Sequence, residues 1–261
     1  MFSDNQIERY SRHILLKQLG TTGQQKLCDG RVLIVGAGGL GSPAALYCAA
    51  AGVGTIGIID YDRVELSNLQ RQIIHAEGDI GRLKAESAAD SIRAINADVC
   101  VQAYTEKFAV ENARLIVREY DFVIDGTDNF GSKFLVNDAC VHEGKPFSHA
   151  GVLQFSGQTL TVVPGKSACY RCVFEDLPPK DAVPSCSQAG VLSSVVGILG
   201  SIQATEALKY LAQIGELLTD CILTFDALSM EFRKITVRRN PECLACGSNG
   251  KWPLLYGDHC N

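Results

Sequence analysis

From position 31 the chain reads RVLIVGAGGLGSPAALYCAAAGVGTIGIID: an unbroken apolar run, a glycine turn, an alanine-rich stretch and a second apolar run. A strand that is apolar at every position is covered on both faces, so this segment predicts a βαβ unit with a buried parallel pair. Ahead of it, Ile7, Tyr10, Ile14 and Leu15 recur at helical spacing between Asp4 and Leu19, and Gly20, Thr21, Thr22 and Gly23 interrupt the pattern. That predicts a leading helix outside the main sheet. Behind the unit, Lys84 to Asn96 has the composition and period of a helix, and Val99 to Tyr104 is strand-like. A further helix falls around Ala109 to Tyr120, and DFVIDGTDN is a third buried strand that ends in a polar turn.

After Pro146 the period changes. PFSHAGVLQFSGQTLTVVPG, CILTFDAL and MEFRKITVRR alternate apolar and polar residues, as antiparallel strands with one covered face do. Between them a long helix is predicted from Gly190 to about Ala212. Its apolar start, Val191 to Ile202, is shorter than the ~20 residues a membrane span needs and contains serines, so it reads as buried or subunit-contacting. Phe174 to Ala189, with Pro178, Pro179 and Pro184, is incompatible with regular structure and predicts a mobile crossing loop. There is no internal repeat and no low-complexity segment.

Composition narrows this picture. With 261 residues, 46% of them hydrophobic, one domain is the starting expectation. A net charge of -5 and a pI near 5.6, without any basic block, argue against a nucleic-acid partner. The N-terminus, MFSDNQIERYSRHILL, lacks the basic start and apolar core of a signal peptide, and no membrane span is expected, so the protein is expected in the cytoplasm. Beyond Cys246 no further domain is expected. Eleven cysteines in such a compartment point to metal binding or thiol chemistry rather than to disulfides.

Gly36, Gly38 and Gly41 fit G-x-G-x-x-G, a turn whose backbone N–H groups and following helix can approach phosphate. Asp60 ends the next strand, about 20 residues on, where a carboxylate accepts hydrogen bonds from ribose hydroxyls. By this motif alone NAD is the favoured ligand. Two cations change that: Arg71, in the run Ser67-Asn68-Leu69-Gln70-Arg71-Gln72, and Lys84 at the start of a helix. A rigid guanidinium fork and a point charge suit a triphosphate, although each alone could be a surface residue. Asp128 and Asn129 lie just past a buried strand, where ligands bind in such sheets, and a carboxylate there can hold Mg²⁺. The bland alternative is a turn in which Asp125 only caps the next helix.

Cys169-x-x-Cys172 and Cys243-x-x-Cys246 supply four thiolates, enough for a closed tetrahedral zinc site joining distant segments. A redox role is the alternative. Cys186 stands apart in the irregular loop, just before the long helix, where a helix N-terminus lowers a thiol's pKa and makes it a nucleophile; a bystander loop cysteine is the other reading. Cys28, Cys48, Cys100, Cys140 and Cys221 read as core residues, and the five histidines form no triad or metal spacing.

The assembly GAGGLGS, SNLQRQ, Lys84, DGTDN, CYRC and CLAC, in this order over nearly the whole chain, resembles the ThiF/MoeB/HesA family, the bacterial relatives of ubiquitin-activating enzymes. The resemblance implies an α/β fold: a Rossmann-like mixed sheet, parallel in the N-terminal half and antiparallel in the C-terminal half, flanked by helices. It implies one domain over 1–261, with a nucleotide-binding half at about 1–145 and a carrier-binding and zinc half at about 146–261. Gly39, Asp60, Ser67, Asn68, Leu69, Gln70, Arg71, Lys84, Asp128 and Asn129 would contact ATP. Arg12 matches an arginine that such homodimers lend to the partner's triphosphate, and Cys186 a cysteine that, in the thiazole-forming branch, joins the carrier's activated tail. Gly126 departs from relatives, which often have Cys there.

The expected reaction is adenylation: the C-terminal glycine carboxylate of a ubiquitin-like sulfur carrier attacks the α-phosphorus of ATP and releases pyrophosphate, with Arg12, Arg71, Lys84 and an Asp128-bound Mg²⁺ neutralising charge. The carrier is expected to be ThiS-like, serving thiamine thiazole, with a MoaD-like carrier of molybdopterin synthesis as the alternative. A cysteine desulfurase or sulfurtransferase that donates sulfur is a further implied partner. An NAD-dependent oxidoreductase and an inactive binding scaffold are the rival readings.

Overall fold

The computed structural model describes residues 2–179, 189–248 and 250. Eight strands form one sheet in the order β3-β2-β1-β4-β5-β6-β7-β8: β1 Arg31–Val35, β2 Thr55–Ile59, β3 Cys100–Tyr104, β4 Phe122–Asp125, β5 Phe147–Leu153, β6 Ser156–Val162, β7 Cys221–Asp226 and β8 Glu231–Thr236. β3 through β5 pair parallel, and β5 through β8 pair antiparallel. Parallel pairs need crossovers, and helices supply them: α3 Gly41–Ala50, α4 Lys84–Ile95, α5 Val110–Val117 and α6 Phe130–Glu143. The antiparallel strands follow tighter connections, with α7 Tyr170–Val173 and the long α8 Ser193–Ala212 between β6 and β7.

Alternation along the central strands distributes their apolar side chains to two cores. Val32, Ile34, Ile56, Ile58, Phe122 and Ile124 pack with α3, α4 and α8, whereas Leu33, Val35, Ile59 and Val123 pack with α5 and α6. Each fully buried side chain of this size contributes roughly 1.5–3 kcal/mol, so the parallel half is anchored by burial on both faces. Because α6 is buried at most positions, including Lys133, Asn137 and Asp138, it shows no amphipathic stripe.

The N-terminal pattern resolves differently from the sequence reading. The leading helix α1 is Asp4–Ile14, and Gly20 to Gly23, read as breakers, open a second helix, α2 Gly20–Asp29. Gly20 has φ +58°, so it turns the chain and the helix starts at once. No helix among the described residues is long and apolar enough to cross a membrane. The predicted loop lies in part outside the described residues, and so does Cys186.

Candidate active site

The register puts Ile59, Val35, Asp125 and His149 side by side across β2, β1, β4 and β5. A cavity of about 1260 Å³ opens at the carboxyl ends of these strands, where ligands bind in open α/β sheets. Its floor is the glycine turn. Gly36 has φ +95°, and a Cβ at Gly41 would lie 1.9 Å from the Gly36 carbonyl oxygen, so the turn closes only with glycine there. Gly126 presses on the same turn: its Cβ would meet the Gly36 oxygen at 2.9 Å. His75 fixes the turn from outside, its Nε2–H donating to the Ala37 carbonyl at 3.0 Å while Nδ1 accepts from the Ser87 hydroxyl at 2.8 Å. Burial lowers its pKa and keeps this imidazole neutral.

Six of the ATP-contact candidates, Gly39, Asp60, Arg71, Lys84, Asp128 and Asn129, line this one cavity. Asp60 accepts the Ala37 amide at 2.9 Å and the Asp62 amide at 2.9 Å. Burial raises its carboxyl above the usual range, against the pull of the Lys84 ammonium and those two amides. The Lys84 stem is buried, and its Nζ donates to Asp62 Oδ2 at 3.0 Å. Arg71 is half-buried and donates to the Ser67 carbonyl at 3.2 Å. Asp128 is exposed to the cavity and makes no hydrogen bond or ion pair among the described residues, which leaves its oxygens free for a hard cation. Asn129 accepts the Ser132 amide at 2.8 Å and so caps α6; the cap is not Asp125.

Ser67, Asn68, Leu69 and Gln70 do not line the cavity. They build a 3₁₀ turn, Leu66–Asn68, in which Asn68 Oδ1 accepts the Glu65 amide at 3.1 Å, and this turn delivers Arg71 and Gln72 to the wall. Arg12, near the end of α1, is exposed and outside the cavity of its own chain.

The motifs do not include the hub beneath the cavity. Asp125 Oδ2 accepts from His149 Nδ1 at 2.8 Å and from Lys133 Nζ at 3.4 Å, and Oδ1 accepts from Thr127 N at 3.0 Å and Thr127 Oγ1 at 2.6 Å. Lys133 also donates to the Thr127 and Ala150 carbonyls, each at 2.7 Å. Burial works to raise the Asp125 carboxyl, but the Lys133 cation and the His149 hydrogen bond overcome it and hold it at about 2. Burial first, then Lys133, push His149 down to about 4, so a neutral imidazole faces an ionised carboxylate. The available signal was a histidine inside an apolar strand that pairs with a strand ending in aspartate.

The four paired cysteines converge. Their Sγ atoms lie within 4.8 Å of one another, with 3.8 Å between Cys169 and Cys172, 3.6 Å between Cys169 and Cys243, and 3.4 Å between Cys172 and Cys246. A zinc–thiolate tetrahedron with bonds of about 2.3 Å has edges of about 3.8 Å, so the cluster can hold such an ion. The Asn240 amide donates to Cys172 Sγ at 3.3 Å. Of the cysteines read as core, Cys48 and Cys140 are buried, Cys28 and Cys221 half-buried, and Cys100 is exposed, because β3 is an edge strand.

The sequence pattern of the ThiF family matches residues 10–245. The chain is 45% identical over 251 residues to the sulfur carrier protein adenylyltransferase of Thermus thermophilus, covering 94% of this chain and 93% of that protein. It is 46% identical over 243 residues to the probable adenylyltransferase/sulfurtransferase MoeZ of Mycobacterium tuberculosis, covering 92% of this chain and 62% of the longer relative. The crystal structure of E. coli MccB with ATP superposes with a TM-score of 0.82 at 25% identity, covering 92% of this chain and 73% of that one. By motif, fold and kinship, the chain belongs to the ThiF family and is an adenylyltransferase.

Proposed function

We propose that the chain adenylylates the C-terminal glycine carboxylate of a ubiquitin-like sulfur carrier, ThiS-like and serving thiamine thiazole synthesis, with release of pyrophosphate. The observation that carries this reading is the gathering of Arg71, Lys84 and the unpartnered Asp128 around one cavity at the strand ends. An already ionised carboxylate needs no general base; it needs the α-phosphorus held in line and the phosphate charge neutralised. Arg71 and Lys84 carry the fixed charge, the glycine turn offers backbone N–H groups, and Asp60 accepts from ribose. Magnesium at Asp128 would add charge neutralisation at the phosphate oxygens. Arg12 reaches a triphosphate only from a second copy of the chain, so the working unit is a homodimer. Zinc at Cys169, Cys172, Cys243 and Cys246 is structural, since four thiolates leave no open position.

The chain works as one domain, nucleotide-binding over about 1–145 and carrier-binding over about 146–261. Cys186 is the acceptor of the activated tail during sulfur transfer, with sulfur arriving from a cysteine desulfurase or sulfurtransferase. NAD, favoured by the glycine motif in isolation, gives way to ATP because two cations and a free carboxylate share the cavity. The test is ATP–pyrophosphate exchange with a ThiS-like and a MoaD-like carrier offered separately. Exchange is expected with the ThiS-like protein and to fall by roughly 100-fold or more in Asp128→Ala, with unfolding temperature unchanged. Undiminished exchange in the variant would refute the assignment, and exchange with the MoaD-like carrier alone would move the chain to molybdopterin synthesis.

A further inference from the structure

His149 belongs to none of the motifs, yet it is 1% exposed, lines the cavity, and is locked on three sides. Its backbone carbonyl accepts the Thr159 hydroxyl at 2.7 Å, and its ring lies 4.5 Å from that of Tyr170. Its Nδ1 meets Asp125, and an ionised carboxylate only accepts, so Nδ1 carries the proton. The neutral ring then leaves Nε2 as a lone-pair acceptor. Nε2 has no partner among the described residues and lies 3.7 Å from where a Cβ on Gly151, another cavity-lining residue, would stand. An acceptor without a donor, on a buried side chain that reaches the cavity wall, is suited to receive a ligand N–H or O–H.

The register says which part of the ligand that is. Strands lie about 4.8 Å apart, so His149 on β5 stands two strands, roughly 10 Å, from the end of β1 and three strands, roughly 14 Å, from the end of β2 that carries the ribose-side Asp60. The ribose and α-phosphate of a nucleotide lying from Asp60 to the turn end short of it. Two groups extend from that phosphorus: the pyrophosphate that leaves, whose charge Arg71 and Lys84 would neutralise, and, in line opposite it, the entering acyl chain, whose first hydrogen-bond donor is the N–H of its last peptide bond. We propose that His149 Nε2 accepts this terminal peptide N–H of the incoming tail and so sets the carboxylate for attack; the proposal rests on the carrier-adenylylating reading above.

The decisive probe is a semisynthetic carrier whose final glycine is replaced by glycolate, which turns the last amide into an ester and replaces the N–H donor with an oxygen that cannot donate. It is compared with the natural carrier, using whichever of the two carrier types supports exchange. The wild type is expected to prefer the amide by about fivefold or more in kcat/KM for carrier, the size of one neutral hydrogen bond. His149→Asn retains a donor for Asp125 while deleting Nε2. It is expected to fold, to keep its KM for ATP, to use the natural carrier about fivefold less well, and to lose the preference for amide over ester. A preference that persists in His149→Asn, or none in the wild type, overturns the contact alone. No exchange with either carrier removes the proposed function, and the contact with it.

Discussion

The centre of the parallel half of the sheet and its β8 edge are stabilised in different ways. β1, β2 and β4 are buried at nearly every position and hold the glycine turn, Asp60 and Asp125 at their ends, whereas every residue of β8 is exposed. Burial on two faces can locate a catalytic group to a fraction of an ångström without any further tie. β8 has no such support. The chain leaving it instead runs to Cys243 and Cys246, which close on Cys169 and Cys172 ahead of α8. The centre of the sheet is held by packing, and the β8 edge by the return of the chain to the cysteine cluster.

The sharpest way to break this contrast is Cys172→Ser. With zinc held by the cluster as proposed, loss of one of its four thiolates should release the ion and lower unfolding free energy by on the order of 4 kcal/mol or more. Metal analysis with denaturant unfolding reads it, and limited proteolysis should cut near β7 and β8 first. Equal loosening of β1 and β4 would dissolve the distinction between centre and edge.

A smaller effect tests the packed centre. His149 is held at about 4, below its ordinary 6.5, so its stabilisation is complete above pH 6.5 and is lost as pH falls to about 4, by about 3 kcal/mol. Asp125, held at about 2 against 3.8, extends the loss from about pH 4 down to 2. Urea midpoints against pH should show this slope in the wild type and lack its upper part in His149→Asn. The smallest effect belongs to the open edge. Arg233 and Glu231 pair at 3.0 Å with 75% and 57% of their side chains exposed, and Glu231→Gln should shift stability by less than about 0.5 kcal/mol. A larger shift would mean that β8 is braced after all.

The same contrast explains what the sequence could convey. RVLIV, TIGII and FVID read as buried strands because burial on both faces leaves an unbroken apolar run, and residues at their ends could be proposed as ligand contacts. Lys133 and His149 escaped because they meet Asp125 only through tertiary pairing, 8 and 24 residues away in the chain. The run 67–70 lies off the cavity lining and shapes the turn that presents Arg71. Gly20 and Gly23 misled because a glycine that turns the chain looks the same as one that ends a helix.

Gly126 carries an evolutionary consequence. A Cβ at 126 would stand 2.9 Å from the Gly36 carbonyl oxygen, so two positions 90 residues apart are sterically coupled. A side chain introduced at 126 would be tolerated only on a background whose glycine turn had already shifted, so the order of mutations, and not only their identity, governs whether this chain can acquire one.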